Sequence, residues 1–263
     1  MDVNTWKKGL GQLPLGELYL YQEVGSTNQV ADDLAQQGAP PFSLVVADSQ
    51  TAGKGRYGRS WITQPGKALA FSLILYPESA QIEANQIEKL SGLGALAVAE
   101  VLTEKFSLGA EIKWPNDVLV DGKKVAGVLV DINWSGPELK AVVVGIGINV
   151  LKGSVPDSPL NFPASSLEEL AGNKFSRLDL LVEVLRAFLK WYPRIKTQTF
   201  ITAWEGYLAY KKEQVMLLSA DDTVDQGQLI GISHNGSLII QSDSGDENHY
   251  RTGEIHLRLV DRS

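Results

Sequence analysis

The chain contains no cysteine, and that absence removes disulfides, thiolate metal sites and a cysteine nucleophile together. Histidine is nearly as scarce. His234, His249 and His256 all fall within the last 30 residues. Solitary histidines of short strands are surface or satisfied core residues, so neither a histidine-based metal cluster nor a Ser/His/Asp triad is expected. No apolar run approaches the length of a membrane span, and the N-terminus lacks the charged-then-apolar pattern of a signal sequence. A cytoplasmic protein without membrane contact follows as the expectation. Positive charge is also in deficit, with 24 Lys and Arg against 31 Asp and Glu and a formal net charge of -7. A basic surface for polyanions is therefore not expected.

Against that deficit, Gly53-Lys54-Gly55-Arg56-Tyr57-Gly58-Arg59 packs three glycines and three cations into seven residues. Glycines let a backbone turn sharply and bring its N–H groups close to a ligand, while guanidinium and ammonium groups fix phosphate or carboxylate oxygens from the side. The run occurs once, which separates it from the repeating Gly/Arg tethers of nucleic-acid binders. Gly53-Lys54 is followed by Gly55 and not by a hydroxyl residue, so it is not a Walker-type phosphate loop. It lies between apolar runs at 43–47 and 68–75 and reads as a charged loop between two strands.

With 263 residues and 44% hydrophobic content, the chain can bury one large core and a smaller one. A short strand at 18–21 is followed by a helix from Ser26 to about Gln37, stopped by Gly38-Ala39-Pro40-Pro41. Residues 83–106 carry Ile87, Leu90, Gly94, Ala97, Val98, Val101 and Leu102 on one helical face. Four β-rich pieces follow between 111 and 150, with a hairpin signal at Asp121-Gly122 and no room for intervening helices. Further helices are expected from Ser176, with Asp179 three residues on, and over 199–210. From Gln214 to Val260 the pattern is short strands with turn signals at Asp221-Asp222, Asn235-Gly236 and Ser244-Gly245. The expected class is α+β, a mixed and largely antiparallel sheet with helices packed on one side. A domain over 1–211 and a small all-β domain over 212–263 are the expected divisions.

Four polar segments invite chemistry, each with a plainer reading beside it. Ser26-Thr27-Asn28 reads either as a helix cap or as a set of ligand-binding hydroxyl and amide groups. Asp48-Ser49-Gln50-Thr51 is a polar shoulder on the strand feeding the glycine loop, or a surface turn. In Lys113-Trp114-Pro115-Asn116-Asp117, a lysine flanked by Ile112 and Trp114 is partly desolvated and needs an anionic partner, unless it is solvated. In Gly145-Ile146-Gly147-Ile148-Asn149, glycines in a β-branched strand accommodate either the close approach of a flat ligand or a bulge.

The order and spacing of these segments, with Lys124-Val125-Ala126-Gly127-Val128-Leu129 between the last two, resemble the catalytic domain of biotin protein ligases, or biotin–acetyl-CoA-carboxylase ligases, over roughly residues 17–260. Lys54 stands where that family has arginine, keeping charge but not the bidentate fork. The resemblance implies that Mg2+-ATP and biotin are converted to biotinyl-5′-adenylate, from which a lysine of the biotin carboxyl carrier protein takes the biotinyl group. It implies catalytic roles for Lys113 and Arg56. Biotin would be bound by Ser26, Thr27, Asn28, Gln50, Gly53, Lys54, Gly55, Arg56, Lys113, Gly127 and Gly145. The nucleotide would be bound by Lys54, Arg56, Arg59, Trp61, Asn116, Lys124, Gly147 and Asn149. It implies an SH3-like barrel for the β-rich tail. Metal-contacting residues are not singled out, and a homodimer is compatible with the sequence. About sixteen residues precede the first strand, too few for the DNA-binding domain of some relatives, so no DNA partner is expected. Lipoate or octanoate transfer on the same fold, and a non-catalytic nucleotide- or anion-binding module, are the alternatives.

Overall fold

The structure is a computed structural model that describes residues 1–76, 87–135, 138–156, 162–219, 222–251 and 255–260. Its larger sheet has seven strands: β1 (Leu18–Val24), β2 (Leu44–Gln50), β3 (Ala68–Leu75), β4 (Ala110–Lys113), β5 (Asp117–Val120), β6 (Lys123–Ser135) and β7 (Glu138–Asn149), in the order β1-β2-β3-β7-β6-β5-β4. All neighbours are antiparallel except β1 and β2. That parallel pair is joined by helix α2 (Thr27–Gln36), because a parallel return needs a crossover. The expected meander over 111–150 is present. Asp121 and Gly122 both have positive φ, 49° and 70°, as the predicted two-residue hairpin requires.

Helices cover both faces of the sheet, which corrects the one-sided arrangement expected above. Helices α3 (Ile87–Phe106) and α5 (Arg177–Trp191) pack with Leu44, Val46, Leu69, Phe71, Val142 and Val144. Ala31 and Ala35 of α2 pack on the opposite face with Val45, Ile74, Ala141 and Val143. The cause is visible along β3, where all eight residues are buried, and along most of β2 and β7. Strands with two covered faces read as continuous apolar runs.

Two helices were not anticipated. Asp2 caps α1 (Val3–Leu10), which buries Trp6 and Leu10, and a Ser166/Glu169 capping box starts the short α4 (Leu167–Ala171). The predicted N-cap Ser176 accepts from the Asp179 backbone N–H at 3.2 Å, and Thr197 caps α6 (Gln198–Gly206) in the 199–210 stretch. Residues 83–86 of the long helix expectation and Asp221 of one expected turn lie outside the described residues.

The second sheet contains β8 (Gln214–Ser219), β9 (Asp222–Ile232), β10 (Leu238–Gln241), β11 (Glu247–Tyr250) and β12 (Ile255–Leu259), in the order β11-β10-β9-β8-β12. Among the described residues β11 and β12 do not pair, so this sheet is open at those two strands. Its buried residues Leu217, Leu229, Leu238 and Ile240 join the core of the larger sheet. The Trp114 indole N–H donates to the Gly236 carbonyl at 3.1 Å across the junction. None of the described helices is long and apolar enough to cross a membrane.

Gly92 of α3 packs directly on an indole. A Cβ there would lie 2.3 Å from the ring of Trp204, which is itself fully buried. Gly92→Ala gains about 1 kcal/mol of helix propensity but overpacks the indole by about 1–3 kcal/mol. A lowered melting temperature in a calorimetric scan is the expected outcome, and a rise would contradict the packing.

Candidate active site

The N-terminus of α2 is built unusually. Ser26 occupies the N-cap position with extended backbone, yet its side chain makes no capping hydrogen bond. The donor at the helix start is met instead from β2, where Gln50 Oε1 accepts the Thr27 backbone N–H at 2.7 Å and lies 3.1 Å from the Thr27 hydroxyl. Ser26, Thr27 and Asn28 are consequently buried but line a cavity, with Gln50 beside them. Of the two readings of this segment, the cap is thus supplied by another element, and Ser26, Thr27 and Asn28 line the cavity.

Opposite them lies the glycine loop. Gly55 N–H donates to Arg59 O at 2.7 Å, and Trp61 N–H donates to Gly53 O at 2.8 Å, so the run closes on itself as a narrow hairpin. A single 3-10 turn, Arg56–Gly58, forms its tip, where Tyr57 has φ 58° in the left-handed region that a bulky residue enters at a cost. The Arg56 guanidinium crosses the cavity to donate to Asn116 Oδ1 at 3.0 Å and also meets Tyr57. Burial lowers the Arg56 pKa while leaving the group charged. Lys54 reaches back to Gln29 Oε1 of α2 at 3.2 Å.

The floor is the glycine strand. A Cβ on Gly145 would meet the Asn28 carboxamide, and one on Gly147 would meet the Trp61 indole. Those glycines therefore admit protein side chains that themselves shape the cavity. On Gly127 a Cβ would press on Lys124, whose ammonium pairs with Asp117 at 2.6 Å and lies 5.6 Å from the Trp61 ring centroid. Trp61 Nε1 is buried with no hydrogen-bond partner among the described residues, a donor open to a ligand heteroatom.

The cavity has about 150 Å3 of accessible space and is open at its mouth. Ser26, Thr27, Asn28, Gln50, Lys54, Gly55, Arg56, Arg59, Trp61, Asn116, Lys124, Gly127, Gly145 and Gly147 all line it. Three anticipated residues do not. Gly53 sits behind the wall, with no space for a Cβ between the Gln50 amide and the Trp61 carbonyl. Asn149 is buried at the end of β7, paired with Ala68.

Lys113 is the third. Its side chain lies outside the wall with its ammonium 4.0 Å from the centroid of the Phe162 ring, and Arg258 of β12 stands 5.6 Å from the same ring. Lys113 is 6% exposed. Burial pushes its ammonium down to about 7; Arg258, Lys124 and Arg59 add repulsion, while Asp117 opposes the shift. Neither Asp117 as a wall residue nor Phe162 and Arg258 as neighbours of Lys113 was anticipated. Asp117 carried a signal as the last residue of the Lys113 segment, but Arg258 is distant in sequence and carried none.

An unfolded lysine titrates near ~10.4, so between about 7 and ~10 the folded state binds fewer protons than the unfolded chain. Stability should therefore rise with pH across that window, and the cost of the buried ammonium should be full below it. Chemical denaturation of wild type and Lys113→Met at pH 6 to 9.5 tests this. The difference between them should narrow as pH rises, whereas parallel curves would show that the amine keeps an ordinary pKa.

Comparison with known proteins places the chain. Residues 20–149 match the model of the Biotin/lipoate A/B protein ligase family. The Bifunctional ligase/repressor BirA of Bacillus subtilis is 34% identical over 259 residues, covering 95% of this chain and 77% of that protein. The Biotin--[acetyl-CoA-carboxylase] ligase of Paracoccus denitrificans is 33% identical, covering 84% and 92%. A solved structure of the biotin protein ligase from Aquifex aeolicus, in complex with biotin and ATP, matches with a TM-score of 0.77 and 32% identity, covering 93% of this chain and 99% of that one. On this fold, this cavity and these similarities, the chain belongs to the Biotin/lipoate A/B protein ligase family, among its biotin protein ligases.

Proposed function

We propose that this protein activates biotin as biotinyl-5′-adenylate and transfers the biotinyl group to a lysine of the biotin carboxyl carrier protein of acetyl-CoA carboxylase. The observation that carries the reading is the polarity of one cavity. Neutral hydroxyl and amide groups of Ser26, Thr27, Asn28 and Gln50 line it together with the cations Lys54, Arg56, Arg59 and Lys124. A ureido ring and a polyphosphate need those two kinds of partner within one cavity.

In the first step a carboxylate oxygen of biotin attacks the α-phosphorus of ATP, the bond from that phosphorus to the bridging oxygen of the β-phosphate breaks, and pyrophosphate leaves. In the second, the carrier lysine amine attacks the acyl carbon, the acyl–oxygen bond breaks, AMP leaves and the amine proton passes to solvent. Mg2+ enters as part of the Mg-ATP substrate, held through its phosphates. Arg56, freed from Asn116, stabilises charge on the α-phosphoryl group and pyrophosphate. Trp61, with its unpartnered N–H against Gly147, borders the adenine together with Asn116 and Lys124, which line the same cavity.

Lys113 neutralises the biotin carboxylate as it meets a second anion. That role requires its ammonium to leave the Phe162 face. The neighbouring Asp117, Lys124 and Arg59, all wall residues, put it one step behind the reacting groups. The chain divides near 211 into a catalytic domain and a β domain that brings Arg258 to Lys113. The glycine loop keeps water from the mixed anhydride until the carrier lysine arrives.

Exchange of labelled pyrophosphate into ATP tests activation directly. It should require biotin, while dependence on lipoate or octanoate, or nucleotide binding without exchange, would overturn the reading. Retention is tested separately through Arg56→Gly. This variant should still form adenylate but release it, so that bystander proteins mixed with the carrier become biotinylated at a rate at least several-fold above wild type. Labelling confined to the carrier would refute retention by the loop.

A further inference from the structure

Helix α2 and strand β6 meet through two reciprocal side-chain pairs. The Asn28 Nδ2 amide donates to Asp131 Oδ2 at 2.8 Å, and one helical turn on, Asp32 Oδ1 accepts from Asn133 Nδ2 at 2.9 Å. The spacings match, four residues along the helix against two along one strand face, so the two pairs fix both the position and the register of the helix. Donor and acceptor are exchanged between the pairs, which disfavours any slip.

The first pair also fixes a direction. An ionised carboxylate only accepts, so Asp131 holds the NH2 group of Asn28 towards itself and turns Oδ1 to the other side. There Ser72 Oγ lies 2.6 Å from Asn28 Oδ1 and 2.9 Å from Thr27 Oγ1. Serine has one hydroxyl proton, and Asn28 Oδ1 can only accept it. The Thr27 hydroxyl must then spend its own proton within the protein, on Ser72 Oγ or on Gln50 Oε1. With that proton spent, the hydroxyl of this cavity-lining residue can only accept from a ligand. Each proton in the line Thr27, Ser72, Asn28 is thereby directed inward to protein acceptors, ending on Asp131.

Resting on the functional reading above, we infer that Asp131 is a positioning residue that sets the cavity wall at Thr27 as a hydrogen-bond acceptor and so selects ligands presenting a ring N–H to it. Its carboxylate acts through Asn28 and Ser72 and touches no substrate. Replacement by asparagine supplies a group that can donate as well as accept, so the Asn28 amide keeps only the long 3.5 Å contact from Nδ2 to the Leu129 carbonyl to orient it and the wall presents either polarity.

The test is calorimetric binding of biotin and of two carbamate analogues, each with one ureido N–H replaced by oxygen, to wild type, Asp131→Asn and Ser72→Ala, alongside exchange kinetics. Wild type should prefer biotin to one analogue by about tenfold, the effect of losing one well-placed buried hydrogen bond. Both variants should lose most of that preference. KM for biotin should rise while KM for ATP stays unchanged, and Asp131→Glu should restore the preference in large part. The double variant should lose little more than either single one, since both cut one line. Ser72→Ala keeps the inference falsifiable if Asp131→Asn fails to fold. An unchanged preference in a folded variant, or equal rises in both KM values, would overturn the inference while leaving the ligase reading intact. Absence of biotin binding by wild type would overturn both.

Discussion

The backbone N–H of Thr27 is among the donors that a helix start leaves without an intrahelical partner, and it is met at 2.7 Å by Gln50 Oε1. Because Gln50 ends β2 and Thr27 begins α2, this contact ties the strand leading to the glycine loop to the helix whose first turn forms the polar wall. It also leaves the Ser26 hydroxyl out of the capping role that serine ordinarily takes at that position. Gly53 depends on the same side chain, since a Cβ there would strike the Gln50 amide. The loop, the wall and the crossover helix therefore take their places from one amide group. A polar group so placed is costly to leave unpaired in the buried wall, which holds the arrangement together.

Close approach is the second constraint, and it works through side chains. Gly145 gives its space to the Asn28 carboxamide and Gly147 to the Trp61 indole. Without the first, Asn28 could not sit between Asp131 and Ser72, and without the second the loop could not lay its tryptophan against β7. Glycines in a strand interior cost conformational entropy, about 0.5–1 kcal/mol each relative to alanine. Here that cost allows a flat ring and an amide to lie directly on the sheet, so the cavity floor is made by residues distant in sequence.

Much of this was legible in the chain, and the exceptions share a physical cause. Hydrophobic period, the Asp121-Gly122 turn and the cap at Ser176 located the meander and the main helices because each is a local signal. The 43–47 and 68–75 runs were recognised as apolar, yet their continuity also meant that both sheet faces are covered, and α2 supplies the second cover. The capping box at Ser166 and Glu169 was likewise present in the sequence, though its helix is only five residues long. In the site, fourteen of the residues singled out line the cavity, because they fall in a few short contiguous segments that each carry several polar groups or glycines. The position of Lys113 was not legible. Its surroundings come from Phe162 and from Arg258 on the second sheet, and neither proximity follows from local pattern.

That placement bears on how charge is distributed in an acidic protein. Lys54, Arg56, Arg59 and Lys124 line one cavity, with Lys113 and Arg258 just behind it. Bringing so many like charges together raises the free energy of the charged lysine, and its lowered pKa is the measurable consequence of burial among them. Partial relief is local: Arg56 leans on Asn116, Lys124 on Asp117, Lys54 on Gln29, and Lys113 on the face of an aromatic ring. Asp117 carries a full negative charge, while Asn116, Gln29 and the Phe162 ring meet their cations as neutral dipoles or a ring quadrupole. A polyanion entering the cavity offers Lys54 a charged partner in place of the Gln29 amide. Several cations of an otherwise acidic chain are thus gathered around one cavity, where their summed field favours an entering polyanion.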